Sequence, residues 1–439
     1  MSARDASTPI ASTFPTFLTD KGKGEGGSDG AYRRDAEREL NRFLRWCRGN
    51  TPDPANASPA DAWEGIVRDA NPGSEARDVR FSDLDSTVFG DYARYLVVSG
   101  FSNSTVLTYY AYVASWCGWA DAQGYVPRHY ARESDAEDPL PEGTGRRPGD
   151  QQAWSPEQRD QLTRFVDERA STAIDDLGAV EVPAEERGDL ESDAVREKAA
   201  ARFRAYKRCR ERALAYVLCY TGLRAAEFLN AADDDRPGRN GVRWADVSFA
   251  DNNVTVYRKK QQWDEASLPD PVLGPLRRYR QLLDAPAEWP VFTTLHRPTL
   301  ARHVRAGLRE RGLSDAEIDR QRDAKPDLLV AAEFDLDAPP ALKPNGARRV
   351  LQRLCADAEI AVDDDRHDYL APHGGRRGMG EVMVREFGYA AAARYLDNSE
   401  EQVRQAYQHI EAAERADMAT EALSNTDGRV RESSNADRA

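Results

Sequence analysis

From residue 31 onward the apolar positions fall into a helical rhythm. Tyr32, Ala36, Leu40, Phe43, Leu44 and Cys47 recur at three- and four-residue intervals, with Arg33, Arg34, Glu37, Arg38 and Glu39 between them. That spacing predicts an amphipathic helix with one buried face. A second run, from about Ser86 to Ser99, turns Val88, Phe89, Tyr92, Tyr95 and Leu96 inward. A third follows Ser102-Asn103-Ser104, residues suited to capping a helix, and reaches about Ala122 with Val106, Tyr110, Val113 and Cys117 on one face. Together they predict a small all-α domain over residues 31–133. Residues 1–30, rich in Ser, Thr, Gly and Asp without periodicity, predict a disordered tail. The stretch 50–75 offers only a short apolar patch around Trp63 and Val67.

The pattern then breaks and restarts. Residues 134–152 hold Pro139, Pro141, Gly143, Gly145, Pro148 and Gly149 among charges, the composition of an extended linker. A second domain, 153–415, opens at Ser155-Pro156-Glu157-Gln158, with Ser as cap, Pro in the first turn and Gln closing a capping box. The acidic run 175–197 reads as a solvated insertion. An apolar helix over Phe203–Tyr220 stops at Gly222. Val254 and Val256 alternate as a strand, residues 258–265 form the polar turn of a hairpin, and the chain returns through Leu268. Helices are predicted around Pro275–Leu283, Leu300–Leu313 and Pro344–Ala356. Near the end, Pro372 to Gly378 enters a helix, Tyr395-Leu396-Asp397-Asn398-Ser399 makes a turn, and a last helix carries Tyr407. Residues 416–439 are expected to be a tail.

Composition changes the picture in two ways. The formal net charge is −14, and of 61 basic residues only eight are lysines. DNA-binding domains usually lean basic, but net charge bears on solubility rather than fold, so an acidic exterior can coexist with a basic cleft. An acidic, lysine-poor surface with runs such as Asp233-Asp234-Asp235 fits a protein kept soluble in concentrated salt, and a halophilic host is the expectation. The five scattered cysteines show no Cys-x-x-Cys spacing, which implies buried small hydrophobes rather than disulfides or zinc. No apolar run approaches a membrane span and residues 1–15 lack the layout of a signal peptide, so a cytoplasmic, non-membrane protein is expected.

Candidate chemistry lies at four places. Arg224, in Thr221-Gly222-Leu223-Arg224-Ala225-Ala226-Glu227, sits in apolar sequence and needs an anion: either Glu227 or a ligand phosphate. Lys259 and Lys260 stand together in a chain that otherwise avoids lysine; an ammonium on a flexible stem can deliver a proton, and the plainer reading is a surface hairpin tip. His373 and Arg376 share one helical turn. Tyr407 follows some thirty residues on, as a nucleophile would. Ser104 and Thr105, at a helix start, could meet a phosphate.

In this order and domain plan the chain resembles the tyrosine recombinases, or phage integrases, with their Xer and Cre relatives. The resemblance implies a mainly α fold: a helical core-binding (SAM-like) domain, then an α+β catalytic domain of the DNA breaking-rejoining type with a small β-hairpin or sheet. It implies Arg224 and Arg376 as the clamp on the scissile phosphate and Lys259 as the acid for the leaving 5′-oxygen, with Lys260 the alternative if the hairpin slips by one residue. His373 would assist proton transfer and Tyr407 would form a 3′-phosphotyrosyl link. Tyr389 and Tyr395 come too early. Arg377 would support the clamp or meet the DNA backbone. Asn398 stands where the family usually has His or Trp, and Asp397 where it usually has Gly; Asn can still donate a hydrogen bond but no charge. No metal or nucleotide is implied. Double-stranded DNA is the expected partner, bound by a homo-tetramer on paired sites and by a monomer or dimer when free. The expected function is site-specific recombination, integration or excision. The alternatives are type IB topoisomerase-like relaxation and a non-catalytic DNA-binding protein.

Overall fold

A computed structural model of the chain describes residues 5–22, 30–49, 66, 78–143, 151–231, 234, 236–364 and 366–426. Two compact units divide it, 1–146 with 233–236, and 147–232 with 237–439. The Trp63 and Val67 patch and two of the three aspartates at 233–235 lie outside the described residues.

The first unit is helical: α1 (Phe14–Lys21), α2 (Ala31–Cys47), α3 (Ser86–Val98), α4 (Asn103–Ala122) and α5 (Ser134–Glu137). Its core is aromatic. Phe43 stacks on Phe89 at 5.6 Å and meets Tyr92 edge-on at 4.9 Å, geometries that add to the area these rings bury. Two boundaries differ from expectation. Part of the stretch expected to be a disordered tail is helix, with Ile10 and Phe17 fully buried; Trp116 Nε1 donates to Thr13 Oγ1 at 3.2 Å and Trp119 Nε1 to Asp20 at 2.8 Å. The start of the expected linker is α5, whose Asp135 accepts from Ser86 at 2.6 Å. Tyr110 Oη, donating to the Ala131 carbonyl at 2.9 Å, holds the turn before it.

The second unit comprises α6 (Pro156–Ala179), α7 (Asp193–Tyr220), α8 (Ala225–Phe228), β1 (Val247–Ser248), β2 (Asn253–Tyr257), β3 (Trp263–Ser267), α9 (Asp270–Leu283), α10 (Arg297–Glu310), α11 (Asp315–Ala324), α12 (Asp327–Glu333), α13 (Pro344–Asp357), α14 (Pro372–Leu396) and α15 (Glu400–Thr426). Ser155 and Gln158 form the expected capping box. The acidic run 175–197 is shorter than expected as an insertion, because α6 runs on to Ala179 and α7 starts at Asp193. Strands β1, β2 and β3 make one antiparallel sheet in that order, with Val254 opposite Ala266 and Tyr257 opposite Trp263. The buried side chains of α6, α7, α9, α10 and α13 form the main core. A smaller core joins α14 to α15 through Val384, Leu396, Val403, Tyr407 and Ile410. Helix continues to Thr426, so the expected tail from 416 is helical in its first part.

Candidate active site

Four segments converge at the carboxyl end of α7. The chain leaves α7 at Thr221, turns left-handed at Gly222 (φ 64°) and restarts at Arg224, the N-cap of α8. A Cβ at Gly222 would stand 2.9 Å from Leu396 and 3.1 Å from Tyr395, so both space and φ require glycine. Arg224 donates to Glu227 Oε1 at 2.8 Å and to Asn398 Oδ1 at 2.8 Å. The carboxylate partner foreseen for Arg224 is therefore present, and the same guanidinium also reaches the α14–α15 turn.

Arg376 is held differently. Its side chain is 4% exposed. One Nη donates to the Gly222 carbonyl at 2.6 Å, and the other bonds the Leu396 carbonyl. Both carbonyls close helix ends, where orphaned acceptors attract a cation. Burial, then the like charge of Arg224, lowers its pKa to about 10, still far above neutrality. The like charge of Arg224 thus acts on Arg376, and the Glu227 carboxylate offsets part of it.

The glycines around Arg376 are packing positions. A Cβ on Gly374 would meet the Trp154 ring at 2.6 Å, one on Gly375 would strike the Leu218 carbonyl, and one on Gly378 the Trp154 carbonyl. Trp154 Nε1 donates to the Ala371 carbonyl at 3.0 Å, and its backbone N–H to Gly374 at 3.1 Å. Arg377 donates to the Gln152 carbonyl at 3.0 Å. The start of α14 is thus clamped between α7 and residues 152–154, a support that sequence reading missed. The crowding of Gly374, Gly375, Gly378 and Gly380 in one helix was the available signal for close backbone approach.

His373 is exposed. The protein around it, then Arg377, Arg376 and Arg224, push its pKa down to about 4, so the imidazole is neutral near pH 7. Tyr407 is 6% exposed. Its hydroxyl lies against Gly380, where a Cβ would collide with it. Burial raises its pKa to about 12, against the pull of Arg376 and Arg377. The two earlier tyrosines serve the backbone: Tyr395 donates to the Tyr220 carbonyl at 2.6 Å, and Tyr389 to the Tyr407 carbonyl at 3.5 Å.

The lysines occupy the β2–β3 turn. Lys259 is exposed. Lys260 Nζ lies 2.9 Å from Asp397 Oδ1. Beneath them Arg258, unnoticed in the sequence, is 3% exposed and pairs with Glu227 at 3.4 Å and Asp264 at 3.2 Å. Ser104 and Thr105 stand in the other unit, at the first turn of α4, where Ser102 is the cap and bonds Thr105 Oγ1 at 2.8 Å. Elsewhere in the second unit, a cleft of about 1100 Å³ is walled by Lys207, Arg210, Arg297, Arg349 and Arg353 among others.

All five cysteines are buried. Among the described residues no helix is long and apolar enough to cross a membrane. No family model matches the sequence, and no curated protein matches it significantly. Solved structures do. An integrase of transposon Tn1549, in complex with transposon right-end DNA, superposes with a TM-score of 0.51 at 11% identity, covering 94% of this chain and 100% of that one. Another form of it, in complex with a circular intermediate DNA, gives 0.50 at 10%, covering 94% and 99%. A lambda integrase dimer bound to a core site gives 0.48 at 9%, covering 91% and 76%. The Tn1549 matches establish the fold: mainly helical, with a helical first domain and an α+β second domain carrying a small antiparallel sheet.

Proposed function

We propose that this chain is a tyrosine recombinase, cleaving and rejoining double-stranded DNA at specific sites. The observation that carries the reading is the meeting of Arg224, Arg376, His373 and Asn398 near the buried end of Tyr407, from segments up to about 180 residues apart. Arg224 is paired with Glu227 on one side; a scissile phosphate would add a second anion between Arg224 and Arg376, and their charge would stabilise the transition state. Tyr407 Oη attacks phosphorus. Its proton passes to the neutral imidazole of His373, and the P–O5′ bond breaks. The leaving 5′-oxygen takes a proton from the hairpin lysine, Lys259, with Lys260 as its alternative. A 3′-phosphotyrosyl link and a 5′-hydroxyl remain, and attack by a 5′-hydroxyl reverses the step on a new partner strand. The residues contribute nucleophile, acid, base and fixed charge, with Asn398 adding an amide donor. On this reading Arg377 and the start of α4, with Ser104 and Thr105, serve DNA contact, and the protein acts as a tetramer on paired sites in the cytoplasm.

Incubation with a nicked suicide site, followed by denaturing electrophoresis, tests it: a covalent protein–DNA adduct is expected, and its absence at every site tried would leave only DNA binding. Joint molecules between two sites separate recombination from topoisomerase-like relaxation. A halophilic host is part of the reading, because the net charge of −14 coexists with cations gathered around one cleft. Phosphate contacts normally weaken steeply with salt; here specific binding should survive molar KCl, and a steep slope in fluorescence anisotropy would remove the halophile from the proposal.

A further inference from the structure

One carboxylate at the edge of the site joins segments that lie far apart in the chain. Asp397 follows α14 with φ 47°, in the left-handed region that favours glycine. The resemblance also leads one to expect glycine there. Asp284 and Asp335 adopt the same conformation, which aspartate tolerates; what sets Asp397 apart is what its side chain touches. Its Oδ1 receives Lys260 Nζ at 2.9 Å from the tip of the β2–β3 hairpin, and its Oδ2 lies 3.9 Å from Arg258 Nε at the hairpin's shoulder. The Asp397 side chain is 14% exposed and the Lys260 side chain 61%, so the carboxylate is held by the fold while the ammonium stays open to solvent screening.

The contacts close into a ring. Arg258 also pairs with Glu227, Glu227 with Arg224, Arg224 with Asn398, and Asn398 is the residue after Asp397. The hairpin itself is short: five residue pairs, a polar tip, and Gln261 at φ 64°. An exposed turn of this kind moves readily unless something holds it. Lys259, the candidate acid, is part of that turn.

We infer that Asp397 is a positioning residue, mooring the hairpin through Lys260 and Arg258 so that Lys259 is held over the leaving 5′-oxygen. The inference rests on the recombinase reading for its chemistry, but not for the mooring. It makes Lys260 an anchor rather than the acid, and it assigns a role to the Asp-Asn pair that departs from the family pattern.

Two measurements on the full-length chain test it. In hydrogen exchange, Asp397→Asn, which keeps a residue tolerant of the left-handed region, should raise exchange at 258–262 while leaving α14 and α15 protected. Unchanged exchange at the tip overturns the mooring, whatever the protein catalyses. In single-turnover cleavage, Lys259→Ala should lose on the order of 10²-fold or more, and Asp397→Asn and Lys260→Ala about 10-fold each. The double variant should lose no more than either alone. A substrate with a 5′-bridging phosphorothiolate, whose thiolate leaves without a proton, should restore all of them to within about two-fold of the unsubstituted chain. Equal losses on both substrates would make Asp397 merely structural and overturn its link to proton delivery. Faster cleavage in Asp397→Asn would make the carboxylate a competitor of the phosphate, which also overturns it. Silence of the unsubstituted chain on both substrates sinks the recombinase reading, and with it the catalytic half of this one, while hydrogen exchange still decides the mooring.

Discussion

Two buried charges, one in each unit, are handled in opposite ways. Glu39 in α2 is fully buried and pairs with Arg38 at 2.8 Å and Arg42 at 2.9 Å. It is thus paired with two opposite charges, although its Oε2 makes no hydrogen bond among the described residues, and Arg42 rests in turn on the rings of Phe101 and Tyr109. Arg376 is almost as buried, yet its hydrogen-bond partners are two backbone carbonyls, and its neighbours carry mixed signs: Arg224 alike and Glu227 opposite. A charge paired with opposite charges of its own helix belongs to the scaffold. A charge compensated by dipoles and set beside a like charge is an incomplete site, and its stability cost is the kind a functional centre tolerates.

The sharpest way to break this contrast is to remove the chemistry and keep the pocket. Tyr407→Phe should abolish covalent attachment, with DNA affinity near that of the unsubstituted chain, because only the nucleophilic oxygen goes. An adduct that persisted in Tyr407→Phe and vanished in Tyr395→Phe would move the nucleophile. The two charges can then be compared directly. Arg376→Ala should lower cleavage by about 10³-fold or more, and Arg376→Lys should restore little of it, since the planar fork is lost. Glu39→Ala should cost about 1–3 kcal/mol of stability, since Arg42 loses its partner while half-exposed Arg38 turns to solvent, with cleavage per folded molecule unchanged. Thermal melts beside single-turnover rates separate the two, and a reversal of the pattern would refute the distinction.

What could be read from the sequence divides along the same line. Thr221 to Glu227 and His373 to Arg376 could be singled out from residue type and local spacing, and the structure brings the two segments together. The hairpin was legible from Val254 and Val256. The ring from Asp397 to Arg258 was not, because Lys260 and Asp397 stand 137 positions apart and local pattern carries no long-range pairing. Trp154 was hidden for the same reason. The helix α1 was missed because its apolar residues are few and set among Ser, Thr and Asp; its order comes from Phe14 packing edge-on against Trp116 at 5.4 Å.

A smaller effect should come from Gly380. A methyl group there collides with the far end of the Tyr407 side chain rather than with backbone, and the ring can swing aside. Gly380→Ala should therefore fold with little change in Tm but misplace the nucleophile, lowering cleavage by about 10²-fold. Gly375→Ala is the control: it strikes the Leu218 carbonyl, so the backbone must move, and about 1–3 kcal/mol of stability should be lost. Equal loss of stability in the two would mean that Gly380 is packing alone.

The mildest effect, and the most direct reading of the site's electrostatics, is the titration of His373. Its folded pKa is lowered to about 4 by the surrounding protein and by Arg377, Arg376 and Arg224, against about 6.5 in an unfolded chain. Between those values the unfolded chain binds the proton and the folded chain does not. The contribution of His373 to stability is therefore intact above about pH 6.5 and is lost as pH falls toward 4. A bound phosphate reverses the sign of the local field. It neutralises the arginines, so the imidazole pKa should rise on binding, and DNA binding should take up a proton within that window. Affinity of Tyr407→Phe for a cognate site should then strengthen as pH is lowered from 6.5, and His373→Gln should flatten the dependence. NMR titration of the His373 ring, free and DNA-bound, measures the shift directly. A pKa that stayed near 4 with DNA bound would mean that burial, and not the field of the arginines, sets it, and the predicted proton uptake would be refuted.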